Sequence, residues 1–293
     1  MESLLKSIET KGQSKQTGAF ENEMGRVSEN TYEQYASNTR LPNLQLESSN
    51  SLEQIRKIRK GEVAIEEKKK KKKGTTYHEL DTDEEERFLN YEPEHPELLD
   101  WENLKQCENF AVKLFKNSQY IGQLDAQMKR SGKGVITYDS GRVYEGGWLD
   151  DVRHGRGFER FASGNTFLGE YNAGRVDGQG RYTWATGEFF DGLWEQGHKS
   201  GYGHWQGSNG DTFIGEWKDN QPNGFGKHIW GNGDSYEGEW RMCVRHGQGA
   251  DMFACGDSYV GEYARGKAEG YGQYRWKNKN IYAGQFLNGK KSG

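Results

Sequence analysis

The chain has 293 residues, of which only 32% are hydrophobic, while 13% are aromatic and 41 glycines stand against 4 prolines; that excludes a core of Leu, Ile and Val and calls for rings packed beside glycine. The formal net charge of -4 supplies no global attraction to nucleic acid, so no nucleic-acid partner is expected. The 3 cysteines lack metal or disulfide spacing, which suits a reducing compartment, and no stretch reaches the roughly 18 apolar residues of a spanning helix.

Residues 1–95 are poor in aromatics, rich in Ser, Asn, Gln and Glu, and without sustained periodicity, so an extended or disordered tail is predicted, with no apolar signal region at its start. Within it Lys68, Lys69, Lys70, Lys71, Lys72 and Lys73 form an unbroken run, followed by an acidic block at Asp81, Asp83, Glu84, Glu85 and Glu86. The run is the candidate electrostatic contact. At about 1 kcal/mol per lysine it would give weak, salt-sensitive adhesion to anionic lipid. An acidic protein surface and nuclear import are other readings of it, and a solvated linker compensated by the acidic block is the plain one. Leu52, Ile55 and Ile58 make one amphipathic turn, too brief to anchor a membrane alone.

Residues 96–119 read as a cap. Pro96 suits a first helical turn, and Leu98, Trp101 and Leu104 follow at helical spacing, which predicts a short helix docked over the open end of what comes next. FAVKLFKNSQY (110–120) aligns with GVITYDSGRVY (134–144) and places Leu114 where the later units carry an aromatic, as a half-hairpin would.

From Tyr120 to Gly293 the sequence repeats every 23 residues. Each unit opens on a ring (Tyr144, Phe167, Phe190, Phe213, Tyr236, Tyr259, Tyr282), has glycine two residues on, and a second ring two further (Trp148, Tyr171, Trp194, Trp217, Trp240, Tyr263, Phe286). A Gly-x-Gly pair follows, as at Gly155/Gly157 and Gly224/Gly226. Three departures stand out: Leu124 in place of a second ring, Gly207 in place of an aromatic, and Lys279 in place of a turn glycine. Tyr236, Gly238 and Trp240 alternate with Glu237 and Glu239, which is strand periodicity with one ring-bearing and one wet face. Pairs such as Asn232-Gly233 and Ser163-Gly164 suit hairpin turns needing positive φ. The residues therefore predict an all-β fold, an elongated single-layer antiparallel β-hairpin array. One hairpin buries too little to fold alone, so stability must come from neighbours, and the product should be a stiff rod.

Segments such as YEGGW (144–148), FIGEWKDNQPNGFG (213–226) and YEGEW (236–240) resemble the MORN repeat family, whose motif reads roughly Tyr-x-Gly-x-Trp, a spacer, then Gly-x-Gly. The resemblance covers about three-fifths of the chain, residues 120–293. It implies a scaffold: similar arrays occur in radial-spoke heads and other axonemal parts, in junctophilins, and attached to plant phosphatidylinositol phosphate kinases. The expectation is a non-catalytic adaptor for other proteins, cytoplasmic, in a cytoskeletal or ciliary (axonemal) setting. A peripheral tether on anionic phospholipid and an accessory array of a larger lipid kinase-type protein are the alternatives.

The residues carry few marks of chemistry. No GxxxxGK[ST] occurs, and the Gly-x-Gly pairs recur with the repeat instead of marking one phosphate site. His154 and His246 share one turn position, and no HxH, HExxH or Cys/His grouping exists, so no metal, cofactor or catalytic residue is expected. Glu170, Glu216, Glu239 and Glu262 recur on the wet face as solubility residues. The candidate partner-binding surface is the aromatic face: Tyr144, Trp148, Phe190, Trp194, Phe213, Trp217, Tyr236, Trp240, Tyr259 and Tyr263, rings of the types enriched at interface hot spots. Packing of those rings on each other and on glycine is the plainer reading for most of their area. Since Gly293 falls inside a unit, self-association through an open C-terminal end is a further expectation.

Overall fold

The computed structural model describes residues 91–292, so the lysine run Lys68–Lys73 and nearly all of the tail lie outside the described residues. Within them the fold is all-β but for two one-turn helices, α1 (Pro96–Leu99) and α2 (Trp101–Leu104). Seventeen strands, from Phe110–Phe115 to Lys290–Lys291, form one open sheet in which each strand pairs antiparallel with the next in sequence.

The register explains the glycine spacing. Gly146 pairs with Gly134 on one side and Gly157 on the other, and the pattern continues until one glycine per strand runs in an unbroken row from Gly122 to Gly284. The opening ring of each unit lies on that row. A Cβ at Gly157 would sit 2.5 Å from Tyr144 Oη, and one at Gly180 would sit 2.3 Å from Phe167 Cζ. Just past the row the register of each hairpin shifts, for example between Gly192 and Trp194 or Gly215 and Trp217. Such a bulge bends the strand and re-aims its side chains, here turning the second ring inward.

Two kinds of turn alternate. Turns such as Trp184 to Glu188 close with Gly187 N–H on Trp184 O and place glycine at positive φ (89°), a three-residue loop with a bulge. Lys279 holds the same place at φ 71°. The turns beyond the second ring have two residues at positive φ: Asp150-Asp151, Ala173-Gly174, Asp219-Asn220 and Met242-Cys243. Both margins are stitched. On one, the second turn residue donates its N–H to a carbonyl 21 residues earlier, as Gly174 to Arg153 O (2.8 Å) and Gly266 to Arg245 O (3.0 Å). On the other, Asn165, Asp211, Asp234 and Asp257 accept from Ala185, Gly231, Ala254 and Lys277 N–H at 2.8–3.0 Å.

The cap departs from expectation. A single helix over the open end was predicted; instead α1 and α2, broken at Asp100 by its positive φ of 51°, lie on the wet face of the first hairpins. There Leu99, Trp101 and Leu104 pack on Ile121, Val135 and Val143. Glu145, on that face, is completely buried and accepts three hydrogen bonds at 2.8 Å each, from Tyr91 Oη and from the Glu94 and His95 backbone N–H. The apolar surface of the first hairpins had to be covered, and a sheet face offers more of it than a sheet edge.

Candidate functional site

All ten rings singled out from the sequence lie in one cluster, and none is more than 9% exposed. They are core. Each opening ring meets the second ring of its own hairpin and that of the next edge-on: Phe213 lies 5.3 Å from both Trp217 and Trp240, and Tyr236 lies 5.1 Å from Trp240 and 5.0 Å from Tyr263. That geometry suits the ring quadrupole and makes the cluster continuous between units.

Their polar atoms are satisfied inside. The indole N–H of Trp148, Trp194, Trp217 and Trp240 donates to the carbonyl of Gly134, Gly180, Gly203 and Gly226, always 14 residues earlier, at 2.8–3.2 Å. Where the second ring is tyrosine a different device appears. Tyr171 Oη donates to buried Glu159 at 2.8 Å and Tyr263 Oη to buried Asp251 at 2.7 Å, and Arg153 and Arg245 pair with those carboxylates. Arg142 joins Glu159 from the other side. Burial, then the neighbouring carboxylate, pushes the hydroxyls of Tyr171 and Tyr263 well above the usual phenol range.

The aromatic surface that solvent reaches is made by other residues, at the ends of the longer strands and in the turns that follow them. Tyr138, Phe161, Tyr182, Trp184, Trp205, Trp230, Phe253 and Tyr274 are partly buried against the core cluster and leave one side open. Part of this surface recurs at period 23 in the sequence (Tyr138, Phe161, Trp184, Trp230 and Phe253), at the position where Gly207 stands in place of an aromatic. Its one gap, Gly207, is filled by a neighbour: a Cβ there would stand 2.8 Å from the Trp205 indole, which leans across the position. His228 belongs to the same strip, stacked on Trp230 at 4.4 Å, and burial lowers its basicity. Cations punctuate the strip: Arg130 over Trp148 (4.2 Å), Lys199 among Trp184, Phe190 and Trp217, and Lys291 over Trp276 (3.7 Å).

On the wet face Glu170, Glu216, Glu239 and Glu262 fold over the first glycine of the neighbouring Gly-x-Gly, where a Cβ would meet their carboxylates at 2.0–2.4 Å. Near one margin Ser200 Oγ donates to Glu195 at 3.2 Å, and His198 Nδ1 is engaged by Asn220 at 2.7 Å. Among the described residues no three His, Cys, Asp or Glu side chains converge as a metal site would require.

A family model described as MORN repeat matches residues 129–141, 144–166, 167–189, 190–212, 213–235, 236–249, 259–281 and 282–293. No curated protein matches the chain. Among solved structures, the chain is similar to the SAS-4 (dCPAP) TCP domain of Drosophila melanogaster in complex with a proline-rich motif of Ana2 (dSTIL), at 11% identity over 53% of this chain and 85% of that one, with a TM-score of 0.33. A point mutant of the TCP10 domain of Danio rerio CPAP matches at 9% identity over 60% of this chain and 82% of that one, with a TM-score of 0.34. At those scores the likeness carries no argument about function.

Proposed function

The chain belongs to the MORN-repeat family, and from that premise we propose that it is a non-catalytic scaffold whose array docks other proteins in a cytoskeletal or ciliary (axonemal) assembly of the cytoplasm. The observation that carries the reading is the strip of half-open rings on one face. A sheet one layer thick can cover its core rings only with its own side chains. The strip from Tyr138 to Tyr274 is that cover, and it leaves aromatic area facing outward along the array. Rings with one buried edge and one free edge lose little conformational freedom on binding, which is why they anchor interfaces. The resemblance to radial-spoke-head arrays supports the ciliary setting.

The test keeps the core and alters the strip. Trp184, Trp205 and Trp230 are replaced together by Ser in the full chain. If the triple variant melts as the wild type does and still recovers the same proteins from ciliary or cytoskeletal extract, the docking role of this face is wrong. Weak anionic-lipid contact through Lys68–Lys73 is a second reading, favoured by the lysine run alone. Vesicle co-sedimentation that is insensitive to replacing all six with Gln removes it.

A further inference from the structure

The strip is not uniform along its length. At the position of Arg153, successive units carry Arg153, Val176, Lys199, Pro222, Arg245, Ala268 and Lys291, so from Arg153 onward a cation recurs in every second unit, while Arg130 holds the same place in the unit before. Around the two arginines the charge is closed off internally. Arg153 meets Glu159 and donates to Gly174 O at 2.9 Å; Arg245 meets Asp251 at 2.7 Å and donates to Gly266 O at 3.0 Å. Tyr171 and Tyr263 complete those carboxylates.

Lys199 stands midway between the two arginines, and its surroundings differ at each corresponding place. Trp205 occupies the carboxylate's position, and Trp217 occupies the tyrosine's, with its N–H spent on Gly203 O. The ammonium sits 4.9, 5.1 and 5.2 Å from the rings of Trp217, Trp184 and Phe190. Among the described residues no carboxylate lies within ion-pair distance of it; Glu188 acts on it only through space. Burial disfavours its charge, which is a cost that an incoming anion would remove. The turn carbonyl bond made by both arginines has no counterpart at the Lys199 ammonium.

We propose that the Lys199 cell receives a carboxylate from an extended acidic segment of a partner protein, which fills the role that Glu159 and Asp251 fill internally two units to either side, while Trp184 and Trp205 pack on an adjoining proline. The charge is supplied by the cell, and the partly open indoles supply the flat apolar walls on which an extended prolyl segment docks. The inference rests on the scaffold reading and narrows it to a site and a chemistry.

The probe is a fluorescein-labelled peptide of alternating Glu and Pro, compared by anisotropy with alternating Gln-Pro and Lys-Pro peptides on the full chain. The Glu-Pro peptide should bind at least about tenfold more tightly than the Gln-Pro peptide, the difference a charge-assisted contact makes. Lys199→Gln should erase that preference and Lys199→Arg should keep it, with matched melting curves showing that neither variant has unfolded. Equal affinity for Glu-Pro and Gln-Pro, or a preference that survives Lys199→Gln, overturns the proposal. Lys199-dependent binding to phosphatidylserine vesicles without peptide preference overturns it also, and assigns the cation to a lipid. Peptides that bind without regard to charge, yet are lost in the Trp184/Trp205/Trp230 triple Ser variant, leave the scaffold standing and sink only the acidic specificity.

Discussion

Trp217 shows how a single side chain serves both its hairpin and the one before. It is 7% exposed, lies edge-on to Phe190 and Phe213, and donates to Gly203 O. Trp217→Ala should therefore cost about 3–5 kcal/mol in equilibrium denaturation, the range for emptying a buried aromatic site. Gly180 is the sharper case, because elsewhere in a strand Gly→Ala gains stability by restricting the unfolded chain. Here the new methyl would stand 2.3 Å from Phe167 Cζ, against a ring held from behind, so overpacking wins and Gly180→Ala should destabilise by about 1–3 kcal/mol. A rise in melting temperature would show that the ring is free to move. The alternation in the sequence made it legible that rings lie on bare backbone. Which ring row stays open was not legible, since Tyr144-type and Tyr138-type residues share a period and only the register decides which lies beneath the other.

The hairpin is the unit in which charge and packing are balanced, and two tests belong to it. Tyr120, Tyr144, Tyr171, Tyr236 and Tyr263 are held above the usual phenol range by burial, and Tyr259 is pushed up to about 12 by the same cause. A hydroxyl whose folded pKa is raised favours the fold while both states are protonated. Its contribution is thus complete below about pH 10 and is lost as pH climbs beyond it, when only the unfolded chain releases the proton. Tyrosinate absorbance should appear together with loss of near-ultraviolet dichroism above that pH; titration of these hydroxyls with the fold intact would contradict the burial. The cap gives the second test. Glu145→Ala leaves Tyr91 Oη and two backbone N–H groups without their acceptor, which should cost about 1–3 kcal/mol and speed amide exchange across residues 91–104. Glu145→Gln, which retains an acceptor oxygen, should lose less.

The first kind of turn could be read from pairs such as Ser163-Gly164, but the second kind could not be read with equal ease. Asp150-Asp151 and Met242-Cys243 carry no glycine, yet both residues of each take positive φ. A second glycine column at Gly174, Gly197, Gly266 and Gly289 was the available signal. The cap was misplaced for a physical reason: α1 and α2 follow the apolar surface of Ile121, Val135 and Val143, which a pattern of helical spacing does not reveal.

At the scale of the whole array, each hairpin touches only its neighbours, so the number of units matters more than the identity of any one. Deleting residues 190–212, one full period, should join Phe189 to Phe213 with the flanking hairpins in register and leave a folded, less stable protein. Deleting residues 190–201 shifts every later ring to the wrong face and should abolish cooperative melting. Calorimetry on both deletions separates a repetitive architecture from one with a privileged centre.

Stitched margins have a mechanical meaning. The strands run across the ribbon, so tension between its two ends pulls along the rows of hydrogen bonds and opens them one hairpin at a time instead of shearing them all together. Each unit that yields would release about 23 residues, on the order of 70 Å of slack at roughly 3.4 Å per residue less two strand spacings. The turn-to-turn bonds at both selvedges, such as Gly174 to Arg153 and Ala254 to Asp234, are the threads that must part before each step. Under load such a protein behaves as a ratcheted spring, paying out length in fixed increments while the units still folded keep their grip.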